Sequence, residues 1–169
     1  MKRVADTAMR YQEKVMSKND EYYMKQAILE AKKAFDKGEV PVGAIIVFQD
    51  RIIARGHNLR ETKKSVLGHA EINAIDKATK KLKQKFLDDC LMYVTLEPCL
   101  MCAGAIQAAR VKKVIYSAKE PKFGCLESQG NVYQIFKGNH DVQVIGGLLE
   151  EVTSKMMKDF FKTIRENKL

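Results

Sequence analysis

Two short segments of the chain carry residue types that could bind a metal ion and do chemistry beside it. The segment Gly68-His69-Ala70-Glu71 offers an imidazole and a carboxylate, and the segment Glu97-Pro98-Cys99-Leu100-Met101-Cys102 offers two thiols. Zinc takes imidazole and thiolate ligands in a tetrahedron, and catalytic zinc sites leave one of the four positions to water. One histidine and two cysteines make three ligands, and no other cysteine or histidine has a spacing that nominates it as a fourth. The pattern therefore predicts a catalytic zinc site at His69, Cys99 and Cys102.

The position of Glu71 favours proton transfer over metal binding. Because His69 and Glu71 lie two residues apart at a predicted helix start, their side chains point in different directions. Glu71 is therefore better placed beside the open metal position than on the metal. A carboxylate there can accept a proton from water and return it to a ring nitrogen and to leaving ammonia.

The spacing of the two cysteines favours binding to one metal ion. Cys99 and Cys102 are three residues apart, which places both on one face of a predicted helix, and Pro98 suits the first turn of that helix. We expect the positive end of the helix dipole to lower the pKa of both thiols, which favours the thiolates that zinc needs. A structural zinc site and a redox-active Cys-x-x-Cys pair are the alternatives for this segment.

Hydrophobic periodicity predicts the elements that must position these residues. Helices are predicted from a cap at Asn19 or Asp20 to Lys37-Gly38, and over residues 69–81, 99–110, 132–136 and 150–166. Strands are predicted over residues 42–48, 52–56, 90–96, 113–118 and 142–145, the first two as an antiparallel hairpin. A hairpin followed by strand–helix alternation predicts an α/β fold, a three-layer α/β/α arrangement with a mixed five-stranded sheet covered by helices on both faces.

The chain shows no internal repeat and no linker. Residues 19–169 are therefore predicted to form a single domain. Residues 1–18 alternate charged and apolar residues without a partner segment. We expect them to form an N-terminal extension, either a loose helix or a flexible tail.

Composition indicates the class of partner and the compartment. The formal net charge is +9, which favours an anionic partner, with RNA, DNA and anionic lipid as candidates. No stretch approaches the ~18 apolar residues of a transmembrane helix, and no apolar segment follows Lys2 and Arg3, which argues against a secretory signal. Four cysteines without an export signal indicate a reducing compartment. We therefore expect a cytoplasmic protein without a membrane segment.

The two metal-binding segments resemble a known family signature. His-x-Glu followed by Pro-Cys-x-x-Cys is similar to the cytidine/deoxycytidylate deaminase superfamily. Further motifs resemble the bacterial tRNA-specific adenosine deaminases: Glu39-Val40-Pro41-Val42-Gly43-Ala44, Gly56-His57-Asn58, Tyr93-Val94-Thr95-Leu96-Glu97-Pro98-Cys99, Met101-Cys102-Ala103-Gly104-Ala105 and Asp159-Phe160-Phe161. The resemblance runs from about Asp20 to Lys168. It implies a cytidine deaminase-like fold and conversion of adenosine to inosine at the wobble position of a tRNA anticodon.

The resemblance also implies roles for site residues. His69, Cys99 and Cys102 would hold one Zn²⁺ per subunit, and Glu71 would act as general acid and base. Asn58 would hydrogen-bond a flipped adenine, since an amide offers both a donor and an acceptor. The walls of the adenine pocket would include Val42, Leu96 and Pro98. The family works as a homodimer whose two subunits contact the anticodon stem-loop of the tRNA.

Six residues are expected RNA contacts: Glu120, Lys122, Lys158, Phe161, Lys162 and Arg165. Glu120 and Lys122 lie in a loop that runs along the RNA in the family. The last helix carries an excess of positive charge that can engage phosphates. The loop departs from the family pattern at Glu120, where Asp is usual, and at Leu126-Glu127, where small residues are usual.

Two other functions are compatible with these motifs. The first is a deaminase of a free base or nucleoside of the cytosine or guanine type, because the zinc chemistry would be identical. The second is an RNA-binding module with a structural zinc ion, although such a site has no use for Glu71.

Some single residues also have alternative interpretations. Asn58 could cap a turn after the second strand instead of binding a base. Cys90 and Cys125 are interpreted as a buried thiol and a loop thiol, and the basic run at residues 77–85 as solvated surface.

Overall fold

The computed structural model describes residues 18–168. The helices are α1 (Lys18–Asp36), α2 (Ala70–Leu82), α3 (Leu100–Ala108), α4 (Val132–Ile135) and α5 (Glu150–Asn167). The strands are β1 (Gly43–Phe48), β2 (Arg51–His57), β3 (Leu91–Leu96), β4 (Lys113–Ala118) and β5 (Gln143–Gly146). The N-terminal extension predicted at residues 1–18 lies outside the described residues, except that Lys18 is the first residue of α1.

The five strands form one mixed sheet in the order β2-β1-β3-β4-β5. β1 pairs antiparallel with both β2 and β3, whereas β3–β4 and β4–β5 are parallel pairs. Each predicted strand and helix is present, and the prediction of a mixed five-stranded sheet in an α/β/α fold is confirmed. The carboxyl ends of β3 and β4 lie at the same edge of the sheet, which is where parallel sheets commonly bind ligands.

Alternate residues of the strands face two separate cores. Ala44 and Ile46 of β1 pack with α2 and α3, while Ile45 and Val47 pack with α1. Met156 of α5 packs against the second of these cores. The three layers therefore follow from the alternation of side chains along a strand.

Gly56 allows α2 to lie directly against β2. A Cβ atom at this position would lie 2.4 Å from the carbonyl oxygen of Ala70, the first residue of α2. The absence of a side chain therefore fixes how closely the start of α2 approaches the sheet. This start carries His69 and Glu71.

The first helix begins earlier than the sequence predicts. Asn19 and Asp20 lie within the first turn of α1 and not before it, so the predicted cap position is wrong. The Asp20 carboxylate accepts a hydrogen bond from the Tyr93 hydroxyl of β3 at 2.6 Å, which draws the helix start onto the sheet. Within residues 18–168, none of the helices has the length and apolar character needed to cross a bilayer.

Candidate active site

His69 and Cys99 each lie immediately before a helix. Both have extended backbone (His69 φ −76°, ψ 150°; Cys99 φ −74°, ψ 174°), and Cys102 lies in the first turn of α3. The carbonyl of Cys99 accepts the hydrogen bond of Ala103 N at 2.8 Å, as expected of an N-cap residue. Pro98 and Cys99 therefore precede α3, and the prediction of Pro98 in the first helical turn is wrong.

The three predicted ligands lie together with a spacing that fits zinc. Nδ1 of His69 lies 3.7 Å from Sγ of Cys99 and 3.5 Å from Sγ of Cys102. All three ligand atoms lie within 4.8 Å of one another. Two atoms bound to one zinc ion at about 2.1 Å and about 2.3 Å in a tetrahedron lie about 3.5 Å apart. The donor types and their separations therefore suit a zinc ion.

The two thiols of this cluster differ in acidity. Hydrogen bonding from Cys102 and the contact with His69 lower the pKa of Cys99 to about 4, against the opposing effect of burial. The pKa of Cys102 is raised, because its thiol is held by Cys99, is buried and lies beside Glu71. The contacts of Cys102 with Cys99 and Glu71 therefore act against the lowering of its pKa that is expected from the helix start.

Glu71 is buried beside the cluster and in the first turn of α2. Its side chain is 4 % exposed, and Oε2 accepts a hydrogen bond from Sγ of Cys102 at 2.9 Å. Burial raises the pKa of this carboxyl, although the contacts with Cys102 and His69 act in the opposite direction. A carboxyl in contact with the metal cluster is placed to exchange protons with a group bound there, as a general acid and base must.

A pocket of about 440 Å³ opens over this cluster. Six of the predicted metal, catalytic and substrate residues line it: His69, Glu71, Cys99, Asn58, Val42 and Leu96. Pro98, predicted as a wall residue, is buried and does not belong to this lining. Its carbonyl instead accepts a hydrogen bond from Cys125 N at 3.0 Å.

Asn58 caps the turn after the second strand, one of the two roles considered from the sequence, and also lines the pocket. Its Oδ1 accepts a hydrogen bond from Arg60 N at 3.1 Å, and its Nδ2 donates to the carbonyl of Val40 at 3.2 Å. These bonds fix the turn after β2 and orient the amide in the pocket wall. One N–H and one lone pair of the amide remain for a ligand.

The predicted RNA contacts lie both in the pocket and outside it. Glu120 and Phe161 line the pocket. Four are exposed and lie outside its lining: Lys122, Lys158, Lys162 and Arg165. Phe123 also lines the pocket and is 59 % exposed, yet no sequence pattern indicates a role for it. A lone aromatic residue in a loop carries no periodic signal, so only the fold could place it at the rim.

Two buried glutamates in the pocket wall were also missed. Glu39 and Glu97 are 1 % and 2 % exposed. Glu39 accepts hydrogen bonds from the backbone N–H groups of Glu61 and Thr62 and from the Thr62 hydroxyl. Burial alone would raise the pKa of Glu39 and of Glu97, but the surrounding donors lower the pKa of each below its ordinary value. The available signal was an acidic residue close in sequence to an apolar strand, since a buried carboxylate must find donors.

The unusual residues of the loop after β4 have structural partners. Leu126 is 3 % exposed and belongs to the core. Glu127 accepts a short hydrogen bond from the Tyr116 hydroxyl and pairs with Nζ of Lys119 at 3.1 Å. A Cβ atom at Gly146 would lie 2.4 Å from the Tyr116 hydroxyl oxygen, so the glycine leaves the space that this tyrosine occupies.

Comparisons with known proteins place the chain among deaminases. The family model of the MafB19-like deaminases matches residues 18–165. A tRNA-specific adenosine deaminase of Bacillus subtilis (strain 168) is 50% identical over 149 residues, which cover 88% of this chain and 92% of that protein. A solved structure from work on A-to-I editing by tRNA:A34 deaminases at the wobble position of transfer RNA has a TM-score of 0.73 and 38% identity. It covers 79% of this chain and 97% of that chain. A guanine deaminase from Nitrosomonas europaea, at 22% identity and a TM-score of 0.72, covers 83% of each chain and shares the fold.

Proposed function

Since the chain belongs to the tRNA-specific adenosine deaminase family, we propose that it converts adenosine to inosine at the wobble position of a tRNA anticodon. The observation that carries this proposal is the position of Glu71. This buried carboxyl lies beside the His69–Cys99–Cys102 cluster, and both contribute to the wall of one pocket. A nucleobase that leaves the RNA stack could enter this pocket.

His69, Cys99 and Cys102 are the residues that would hold a zinc ion in this reaction. When bound, zinc makes water a nucleophile near neutral pH by lowering its pKa. Water adds to C6 of the adenine ring, and Glu71 accepts its proton and delivers that proton to N1. Glu71 then assists the transfer of a further proton to the amino group, which leaves as ammonia, so adenosine and water give inosine and ammonia.

The other pocket residues would hold the base in place. The free donor and acceptor of the Asn58 amide can bind the edge of an adenine, and Val42 and Leu96 supply apolar walls for its faces. Glu120 and Phe161 lie where the flanking nucleotides of the RNA would pass. The exposed cations would contact phosphates: Lys122, Lys158, Lys162 and Arg165.

We further propose a homodimer that joins two copies beside the metal cluster. Val66 and Leu67 are 67 % and 57 % exposed, and Leu100 is 61 % exposed. Val66 and Leu67 closely precede His69, and Leu100 directly follows Cys99. These apolar side chains therefore flank the two ligands, and exposed apolar groups that lie together are typical of protein interfaces. A second copy here would lie near the bound anticodon stem-loop.

A cytoplasmic location is consistent with this function. The proposed substrate is tRNA, and the metal ligands include two thiols, which a reducing compartment keeps free of disulfides. All four cysteines are unpaired within the described residues.

An inosine assay tests the proposed function directly. Purified zinc-loaded protein is incubated with an anticodon stem-loop that carries adenosine at the wobble position, and in parallel with free adenosine, cytosine and guanine. We expect inosine at the wobble position and no turnover of the free compounds. Turnover of a free base at a comparable rate would preserve the deaminase chemistry and refute the RNA substrate.

A further inference from the structure

Glu97 holds both ends of a pocket-facing loop on one carboxylate. Its Oε1 accepts a hydrogen bond from Glu120 N at 3.2 Å, at the start of this loop. Its Oε2 accepts hydrogen bonds from the backbone N–H groups of Leu126, Glu127 and Ser128 at 3.1, 2.9 and 2.9 Å, at the end of the loop. The Ser128 hydroxyl donates to Oε1 as well. Residues 120–128, named here the rim loop, therefore close around a single side chain.

The rim loop leaves no room for a different arrangement of this carboxylate. A Cβ atom at Gly124, in the middle of the loop, would lie 2.4 Å from Cδ and 2.5 Å from Oε2 of Glu97. The backbone of Gly124 must therefore pass directly over the carboxyl group. A glycine is required here by close approach, independently of its backbone torsions.

Glu97 also connects the rim loop to the reaction centre. It directly follows β3, and its backbone N–H donates to the carbonyl of Ala118 at the end of β4. Two residues later the chain supplies the ligand Cys99. The rim loop in turn contributes Glu120 and Phe123 to the pocket lining. One residue thus sets the distance between the metal ligands and the side chains at the pocket rim.

We propose that Glu97 is a positioning residue that orders the rim loop for binding of the RNA around the target base. The proposal rests on the proposed function, because it assigns the rim loop to substrate binding. Five uncharged donors surround the Glu97 carboxylate, so the loop is ordered before RNA arrives. RNA binding then does not have to supply the cost of ordering this loop.

Steady-state kinetics on the wobble-adenosine stem-loop separate positioning from general structural damage. The variant Glu97→Gln keeps the size of the side chain but turns an NH₂ group towards N–H donors. We expect its KM to rise about tenfold, with kcat within about threefold of the wild type and full zinc content. Gly124→Ala should reproduce this effect, because the added methyl group displaces the same carboxyl.

The matched control is Glu30→Gln on α1. Glu30 is also 2 % exposed, but its carboxylate bonds with Lys33 and His57, away from the rim loop. We expect its kcat and KM to match the wild type. An unchanged KM in Glu97→Gln overturns the proposal, as does a fall in kcat alone, which would indicate metal loss or a direct role in the chemistry.

Hydrogen exchange tests the same inference without any assumption about substrate. The amides of Leu126, Glu127 and Ser128 should exchange more than about tenfold faster in Glu97→Gln than in the wild type. Exchange in β3 should be unchanged, and Glu30→Gln should leave the rim loop protected. If the wild type fails to act on the stem-loop, the proposed function fails, and these exchange rates still decide whether Glu97 orders the loop. Unchanged exchange at the three amides would refute the proposal that Glu97 orders the rim loop.

Discussion

Three buried carboxyl groups of the pocket wall have pKa values shifted in opposite directions because their neighbours differ. Glu71 is buried against the Cys102 thiol, and burial raises its pKa. Glu39 and Glu97 are equally buried, yet each is surrounded by N–H and O–H donors that lower its pKa. Burial therefore favours the neutral form of Glu71, whereas the donors around Glu39 and Glu97 favour the charged form of those two carboxyls.

Removal of the Glu71 carboxyl should abolish deamination. We expect the variant Glu71→Ala to lose at least about 10³-fold in kcat, because the carboxyl that contacts the metal cluster, 2.9 Å from Sγ of Cys102, would be gone. The measurement is inosine formation at saturating stem-loop, with zinc content and circular dichroism as controls for the metal and the fold. Full activity in a correctly folded, zinc-loaded variant would refute the proton-carrier role.

Glu39 should stabilise the fold in a pH-dependent way. Because its folded pKa is lowered, its contribution is present above the ordinary carboxyl pKa and is lost as the pH falls through the folded value. We expect Glu39→Gln to lower the free energy of unfolding by about 1–3 kcal/mol at about pH 7. The difference from the wild type should shrink below about pH 4.5. Urea unfolding of both proteins across this range measures it, and a difference that stays constant with pH would contradict the assignment.

Sequence periodicity located the helices and strands well but not the chemistry of their ends. A repeat of apolar residues reports which face is buried, so each predicted helix and strand exists. The first helical residue depends on capping geometry. His69 and Cys99 are N-caps with extended backbone, and this places both ligands where the positive ends of α2 and α3 meet. The clustering of His69, Cys99 and Cys102 was predictable because residue type and spacing are local.

The exposed face of α5 should contribute to RNA binding through its charge. Reversal of Lys158 and Lys162 to Glu should weaken stem-loop binding and reduce the salt slope of log K by about 0.9 for each lost phosphate contact. Fluorescence anisotropy titrations at several salt concentrations measure both quantities. The matched control reverses Lys80 and Lys81 on α2, where the same charge change should leave the slope unaltered. Equal effects of the two double variants would show that the α5 lysines make no specific contact with the RNA.

The pocket as a whole is built by contacts between distant parts of the chain. Glu39 binds residues that are 22 and 23 positions away, and Glu97 binds residues 23 to 31 positions away. No periodic pattern reports such pairs, which is why these glutamates and Phe123 escaped prediction. The family resemblance supplied Asn58, Val42 and Leu96 as pocket residues, since their motifs have fixed positions in the chain.

Disruption of the apolar surface beside the metal cluster should separate the proposed dimer. We expect Val66→Glu to produce monomers, because a charge would be buried in the interface without a partner. Sedimentation equilibrium measures the mass, and Leu29→Glu on α1 is the matched control, since Leu29 is 47 % exposed on the opposite face of the sheet. A wild-type protein that is already monomeric, or a dimer that survives Val66→Glu, would place the interface elsewhere or exclude it.

The contact of Glu127 with Tyr116 and Lys119 has a consequence for chimeric enzymes. The tyrosine needs the space at Gly146, so the side chain at position 127 is tied to positions in β4, in the segment after it and in β5. A loop grafted from a relative with small residues at 126 and 127 would leave the Tyr116 hydroxyl without its acceptor. It would also leave a cavity in the space that the buried Leu126 side chain fills. Positions 116, 119, 127 and 146 should therefore be exchanged together. Libraries that recombine homologous deaminases should take all four from the same parent.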